Sequence, residues 1–382
     1  MRRIVGLVFV ALGVALIGLA VALPAYVYPR VKIPQDPNLY LVAQGRGLTV
    51  LLAQSVDDGG IRVLTNQTVT ATRRIRGQVR TGAPRPTGDN VFYRLAFRTD
   101  VAEQTNGLLT AYVEGGSINA RTGLSNNCCG DYISTDATDT VGTPIRHEGL
   151  QWKFPFKTQK KSYPFWDVNL KKATTAHFDG TEKVDGLLTY RFVQPINNVV
   201  ISQEDIPGSL LGLTNQPTVR ADRLYSDTRT LWIEPYTGAI IKGSEKVNQR
   251  LVSNGKQVPV IQGTLTYTDA TVKMMVNKYK GNAASLRFVT RIGPRTGWIL
   301  GPILILAGLV LIISARRADA ARARGGRGSD AGVPDPNDPG PSGTPTATGP
   351  ADTGTDTGPA RNERTGAATR TGRARRSTQE SI

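Results

Sequence analysis

The segment of residues 149–167 brings aromatic and lysine side chains together more densely than the rest of the sequence. Its first three aromatic residues stand two apart, so on a strand they would point to one face and the intervening lysines to the other. This pattern predicts an apolar groove rimmed with lysines, which suits an anionic amphiphile. An aromatic sheet core with solvated lysines accounts for the same pattern. The candidate ligand-binding residues are Trp152, Phe154, Phe156, Lys153, Lys157, Trp166 and Asp167.

The sequence contains none of the motifs that define common catalytic sites, such as GxSxG, HExxH, the P-loop or GxGxxG before a helix. His147 precedes Glu148, but the second histidine of a zinc-protease helix does not follow. Any two of Asp167, Asp179 and Glu234 would suffice for a glycosidase-type pair if the fold brought them together. We therefore predict no catalytic residue, no metal and no cofactor. An accessory enzyme of glycolipid or polysaccharide assembly is the alternative.

The two cysteines of the chain, Cys128 and Cys129, are adjacent. Asn and Gly residues flank them and favour a turn, and an extracytoplasmic location would permit oxidation. A disulfide between the two neighbours is therefore a candidate. Two unpaired thiols and a bridge to another chain are the alternatives.

Two long apolar segments lie near the ends of the sequence, and each has about the length needed to cross a bilayer as a helix. Arginines precede the first segment and follow the second, so the positive-inside rule predicts that both termini are cytoplasmic. We expect a two-pass protein of the plasma membrane, with a cleaved signal peptide as the alternative for the first segment. The predicted parts are a cytoplasmic N-terminus (1–3), a transmembrane helix (4–28), an extracytoplasmic β-rich domain (29–293), a second transmembrane helix (294–315) and a disordered cytoplasmic tail (316–382).

Small residues recur at helical spacing in both apolar segments, where they would let two helix backbones approach closely. The predicted helix-packing residues are Ala11, Ala15, Gly18 and Ala22 in the first segment and Gly297, Gly301 and Gly308 in the second.

Between the apolar segments, short runs rich in β-branched and aromatic residues alternate with turn sequences. Turns are predicted at residues 57–60, 87–90, 115–116, 235–238 and 254–255, the last an Asn-Gly pair typical of hairpins. Serial hairpins predict a mainly β domain with an antiparallel, meandering sheet and minor α content. One helix is predicted over residues 269–280, with Asp269 as its N-cap and Gly281 at its end.

The chain is strongly basic, with a formal net charge of +17. A basic outer domain favours anionic neighbours, whereas an exported location argues against nucleic acid. We expect membrane lipids, and as further candidates an anionic lipid or lipoglycan ligand and other envelope proteins. The predicted function is an envelope protein whose β-rich outer domain binds an anionic lipid, a lipoglycan or a protein partner. A non-catalytic membrane scaffold is a further alternative.

Three short motifs carry a resemblance to a known family. They are K-F-P-F at residues 153–156, Y-x-x-W-D at 163–167 and W-x-E-P-x-T-G at 232–238. Together with the two apolar segments, they resemble an actinobacterial family of two-span membrane proteins that is often labelled the porin PorA family. The resemblance covers residues from about Arg3 to Ile313 and implies an envelope membrane protein. It supplies no established catalytic residues.

Overall fold

An antiparallel sheet of twelve strands forms most of the described chain. The computed structural model describes residues 1–53, 60–77, 82–135 and 142–325. The strands are β1 (Leu39–Ala53), β2 (Ile61–Arg76), β3 (Asn90–Val101), β4 (Leu108–Asn119), β5 (Tyr132–Ser134), β6 (Thr143–Pro144), β7 (Tyr163–Asp167), β8 (Lys172–Val184), β9 (Leu187–Pro207), β10 (Thr218–Ile233), β11 (Ile240–Ser253) and β12 (Lys256–Tyr267). The predicted mainly β, antiparallel fold is confirmed at this level.

The strand order follows the chain in two runs, β1 to β6 and β7 to β12, which meet where β1 pairs with β12. Every other neighbouring pair is consecutive in sequence, which is the arrangement that serial hairpins produce. The Asn254-Gly255 turn joins β11 to β12, and both residues have the positive φ angles, 49° and 73°, that a two-residue hairpin turn requires. Local turn chemistry therefore sets much of the topology.

The sheet is not a closed barrel, because among the described strands β6 and β7 stand at the two ends of its hydrogen-bonded order. Isolated bridges cross part of the gap between its edges. They link Ile118 of β4 to Ser125, Leu124 to Leu150, and Leu150 to Phe165 of β7. Side chains from both runs of strands therefore face a common interior.

Two predicted strands, residues 39–44 and 48–54, are parts of one strand, β1, as far as Ala53. The pairing register shifts between Gly45 and Leu48, where Gly47 has a φ of 72°. A glycine at such a bulge bends a strand without ending it. The predicted turn at residues 57–60 lies, apart from Gly60, outside the described residues. The turn predicted at Gly115-Gly116 is wrong, because both glycines lie within β4 and pair with β3.

Three α-helices are described: α1 (Arg2–Val27), α2 (Asp269–Arg287) and α3 (Gly293–Gly325). A π-helical turn, Phe288–Ile292, connects α2 to α3. The prediction that Asp269 caps α2 is wrong, because the Thr268 side chain accepts the hydrogen bond from the backbone N–H of Thr271. Nor does Gly281 end the helix, since buried contacts such as that of Ala283 continue beyond it. The predicted disordered tail, residues 316–382, is wrong for its first ten residues, because α3 continues as a helix to Gly325. Residues 326–382 lie outside the described residues.

Helices α1 and α3 pack against each other through glycine. A Cβ added at Gly13 would lie 2.6 Å from the carbonyl oxygen of Gly301, and one added at Gly6 would lie 2.8 Å from that of Gly308. Such contact leaves no room for a side chain and matches the role of small residues in apolar helix pairs. Gly297 of α3 meets Ala20 of α1 in the same way.

The predicted packing face of α1 is wrong, although the predicted glycines of α3 do contact α1. The four predicted residues of α1 lie on its exposed side, and nothing lies within 4 Å of a Cβ added at Gly18. The contact stripe instead repeats every seven residues, at Gly6, Gly13 and Ala20, which keeps it on one side of a helix with 3.6 residues per turn. The misplaced residues are Ala11, Ala15, Gly18 and Ala22.

Candidate functional site

Side chains from both runs of strands and from α2 surround a cavity of about 450 Å³. Apolar side chains form much of its wall, among them Leu41, Ile75, Leu95, Leu265 and Met275. A cavity of this size and character suits a small organic molecule. The charged residues that line it are Arg73, Lys153, Arg223, Arg229, Glu114 and Glu245.

An ionic cluster, formed by Arg73, Arg229, Glu245, Asp167 and Asp227, lies in and behind the cavity wall. Arg229 is at its centre, with Nη2 2.9 Å from an oxygen of Asp167 and Nε 3.0 Å from an oxygen of Glu245. Arg73 donates to the same Glu245 oxygen at 3.0 Å. Asp227 is more distant, 3.6 Å from Nη2 of Arg229. Two arginines therefore hold two carboxylates closely and a third more loosely.

Strand register brings this cluster together. Arg229 of β10 is the direct cross-strand partner of Glu245 of β11. Arg73 of β2 reaches Glu245 from the other run of strands, although the two residues are 172 positions apart. Asp167, at the end of β7, also accepts hydrogen bonds from two backbone N–H groups of the following turn, both at 3.0 Å. The cluster therefore ties together three separate regions of the sheet.

The pKa values of two carboxyls of the cluster, Glu245 and Asp227, are shifted in opposite directions by the balance between burial and the nearby arginines. Burial raises the pKa of Glu245, but the charges of Arg73 and Arg229 outweigh burial and bring this pKa to about 2. Burial raises the pKa of Asp227 to about 8, because its distance from Arg229 leaves the desolvation cost uncompensated. At neutral pH Glu245 is ionised and Asp227 is protonated.

A second buried network centres on His147. Its Nδ1 lies 2.8 Å from Asp131 and its Nε2 lies 2.9 Å from Glu114, which also accepts a 2.7 Å hydrogen bond from the indole of Trp166. Burial lowers the pKa of His147, but the hydrogen bonds to the two carboxylates outweigh it, so the pKa is raised. When the ring is protonated, it donates from both nitrogens, to Asp131 and to Glu114.

The structure joins Cys128 and Cys129 by a disulfide bond. Cys129 is buried against Phe92 and Tyr132. The backbone N–H of Cys128 donates to the hydroxyl of Ser117 at 2.8 Å, and that hydroxyl donates in turn to Asp131 at 2.6 Å. The disulfide turn is thus connected to the His147 network by hydrogen bonds.

The aromatic and lysine segment is not a strand before Tyr163, so the predicted alternation of its faces is wrong. Backbone hydrogen bonds instead dock it on the turn between β10 and β11, with the N–H of Phe154 bonded to Gly238 at 2.8 Å. Trp152 packs against Tyr93 and lines the cavity. Phe154 is fully buried in a different core, which contains Phe165 and Phe192.

The remaining candidate residues of this segment separate into different environments. Lys153, predicted to be solvated if the aromatics were core, is 6% exposed and lines the cavity. Burial lowers its pKa to about 7. The Nζ of Lys153 lies 3.6 Å from the ring centroid of Phe156. Lys157 instead lies over the ring of Tyr28 and does not line the cavity. Trp166 lines the cavity, and Asp167 belongs to the ionic cluster.

The three carboxylates considered as a catalytic pair have separate structural partners. Asp167 binds Arg229, and the half-exposed Asp179 binds Arg191 at 2.8 Å. Glu234 accepts hydrogen bonds from the hydroxyl and backbone N–H of Thr237, at 2.6 and 2.7 Å, and so fixes the turn between β10 and β11. In the described part of the chain, no three His, Cys, Asp or Glu side chains are grouped as metal ligands.

Sequence reasoning missed three charged residues of the cavity wall that bond to one another, Arg73, Arg229 and Glu245. One signal was available for Arg73, because Ala71 and Ile75 are two residues away on the same strand and face inward with it. A charged residue in the inward phase of a strand requires an opposite charge nearby. The sequence does not reveal which strand supplies that charge.

The described chain combines a β-rich body that holds an internal cavity with two helices long and apolar enough to cross a membrane. The sequence matches the profile of the Porin PorA family over residues 5–310, and the chain belongs to that family of the cell envelope. A protein named Porin PorA from Corynebacterium resistens is 24% identical over 422 aligned positions, which cover 84% of this chain and 98% of the relative. Porin PorA from Corynebacterium amycolatum is 23% identical over 317 positions, covering 68% and 81%.

This membership corrects the predicted function. The family and both relatives are named as porins, so the prediction of a domain that binds an anionic lipid, a lipoglycan or a protein partner is wrong. The same finding overturns the alternatives of an accessory enzyme and of a membrane scaffold. The resemblance to the porin PorA family is confirmed.

Proposed function

We propose that this protein is a porin that lets small solutes pass through an envelope membrane, and that the cavity inside its sheet is part of the solute path. The observation that carries the proposal is the cavity of about 450 Å³, which strands from both runs surround and which charged side chains line. The name shared by the family and by the two relatives supports it.

In this proposal α1 and α3 are the membrane-spanning helices, and the sheet lies on the outer side of the membrane with both ends of the chain inside. Support comes from the arginines at residues 2–3 and 316–317, which flank the apolar parts of the two helices. The described sheet lies between these two helices in sequence, so it falls on one side of the membrane in a two-pass topology.

The α1–α3 pair of one chain is a poor candidate for a solute path, so in this proposal several copies of the chain surround the path across the bilayer and the cavity forms the part outside it. From Ile4 to Ala25, α1 contains only apolar residues, glycine and proline. The close glycine contacts between α1 and α3 leave no room for a solute between them. An aqueous path needs polar groups along its wall, and the charged side chains around the cavity supply them.

The test is solute flux through liposomes that contain the full chain. Ser202 lines the cavity and is half-buried, while its neighbour Gln203 on β9 is exposed. Ser202→Trp places a large ring in the cavity, and Gln203→Trp places the same ring outside as a matched control. We expect the natural protein and Gln203→Trp to release an entrapped small solute at similar rates, and Ser202→Trp to release it severalfold more slowly.

Liposomes with the natural protein that release solute no faster than empty liposomes would refute the porin function. Equal flux through all three proteins would refute the cavity as part of the path.

A further inference from the structure

Two buried polar side chains in the cavity wall, Gln151 and Lys153, have no hydrogen-bond partner among the described residues. Each is 6% exposed, and both line the cavity. Neither amide atom of Gln151 is bonded, nor is Nζ of Lys153. Leaving a buried polar group unbonded costs stability, so three such atoms in one wall require a reason.

The other cations of the wall are already paired. Arg73 and Arg229 bind Glu245, and Arg223 binds Glu204 at 3.1 Å. Among the described cations that line the cavity, Lys153 is the one without an acidic partner, and its Nζ lies 3.6 Å from the ring centroid of Phe156. The wall can therefore neutralise one added negative charge at this position.

From these contacts we infer that Gln151 and Lys153 form a subsite for the carboxylate of a small organic acid with a compact apolar body. The ammonium of Lys153 and the amide N–H of Gln151 donate to the carboxylate oxygens. The apolar body then lies against the neighbouring cavity side chains Trp152, Trp166 and Leu95. A dianion fits the wall poorly because its additional charge would have no partner. A sugar fits poorly because it would place many hydroxyl groups against a mainly apolar surface.

This inference deepens the proposed function, because it names the class of solute that the cavity takes up and rests on the cavity being a solute site. The burial of Lys153, which lowers its pKa to about 7, agrees with it. A bound carboxylate favours the charged amine and compensates for the loss of water.

The test is binding of 2-naphthoate to the detergent-solubilised full chain, measured by titration calorimetry against empty micelles. The neutral analogue naphthalene-2-carboxamide shows what the apolar body contributes alone. We expect 2-naphthoate to bind at least tenfold more tightly than the amide, since hydrogen bonds to charged groups are the stronger ones. Lys153→Met removes this preference, and the exposed Lys160→Met is the matched control that retains it.

A second variant and a second readout keep the test independent of one substitution. Gln151→Met lowers 2-naphthoate affinity severalfold, because it removes one donor. Without ligand, Lys153→Met and Gln151→Met both raise the unfolding temperature of the protein, because each replaces an unbonded buried polar group with an apolar one of similar size. A purely structural role for these residues predicts the opposite shift.

Each outcome decides the inference separately from the proposed function. Equal binding of acid and amide by the natural protein overturns it, as does acid binding that neither Lys153→Met nor Gln151→Met weakens. Flux of neutral solutes without 2-naphthoate binding overturns the inference and leaves the porin function standing. Selective binding lost in Lys153→Met supports the subsite even if the liposomes show no flux.

Discussion

Glu245→Gln tests whether the ionic cluster holds the two runs of the sheet together. Glu245 accepts hydrogen bonds from both Arg73 and Arg229, each at 3.0 Å. The substitution keeps the size of the side chain and removes its charge. Arg229 retains Asp167 at 2.9 Å, but Arg73 loses its carboxylate partner.

The stability lost in Glu245→Gln can be calculated in two ways. Breaking a buried ion pair by removing one partner costs about 3–5 kcal/mol, and the 25% exposure of the Glu245 side chain favours the lower end of that range. The fall of the Glu245 pKa from 4.5 to about 2 also corresponds to roughly 3 kcal/mol. For a domain of this size, ~3 kcal/mol lowers the unfolding temperature by about 6–12 °C.

The pH dependence gives a signature that lost packing would not show. Because the folded pKa of Glu245 is lowered, its stabilisation is present above pH 4.5 and is lost as the pH falls through about 2. The difference in unfolding temperature between the natural protein and Glu245→Gln should therefore shrink to less than half between pH 6.5 and pH 3.

The assay is thermal unfolding of the full chain in detergent, followed by near-UV circular dichroism at a fixed scan rate. The exposed Glu148→Gln is the matched control, and we expect it to change stability by less than about 0.5 kcal/mol. A Glu245→Gln shift no larger than that of the control at pH 6.5, or a shift that does not change with pH, would refute the reasoning.

Three further predictions use the same unfolding assay. Asp227→Asn should stabilise the protein by an amount that grows between about pH 4 and pH 8 and stays constant above pH 8. The carboxyl of Asp227 ionises near its ordinary pKa in the unfolded chain but only at about pH 8 in the folded protein, so the natural protein loses stability across that interval and the asparagine variant does not. An equal effect of the substitution at pH 5 and pH 8 would contradict this. His147→Gln should destabilise the protein most at pH 6 and less at pH 9. The folded pKa of His147 is raised, so its protonation stabilises the fold at low pH and this stabilisation is lost as the pH rises through the folded pKa. An equal loss of stability at both pH values would refute the charged network. Gly301→Leu should destabilise the protein by about 1–3 kcal/mol, since an added Cβ lies 2.5 Å from Ile17 and 3.0 Å from the carbonyl oxygen of Gly13. Gly18→Leu is the control, because an added Cβ there meets nothing within 4 Å. Equal effects of the two substitutions would count against glycine packing of the helices.

Local sequence signals predicted those strands, turns and helices well whose conformation depends mainly on neighbouring residues. The Asn254-Gly255 pair gave the β11–β12 hairpin because its positive φ angles are a property of those two residues. The prediction for the segment around Lys153 failed because an assumed alternation does not hold where turns and a φ of 54° at Lys157 interrupt the extended backbone. The face of α1 that contacts α3 was also mispredicted, since small residues occur on several sides of that helix and only the partner selects one.

The sequence by itself determined the β-rich middle, the two apolar helices at its ends and the family to which the chain belongs, because periodicity, turn chemistry and short motifs are local properties. Only the tertiary structure decided which charges meet. Arg73 and Glu245 are 172 residues apart, and Asp167 and Arg229 are 62 apart. Such pairs form when strand register and the two runs of the sheet bring distant side chains into one interior. The same long-range packing buries Lys153 and turns a residue expected at the surface into part of a cavity wall.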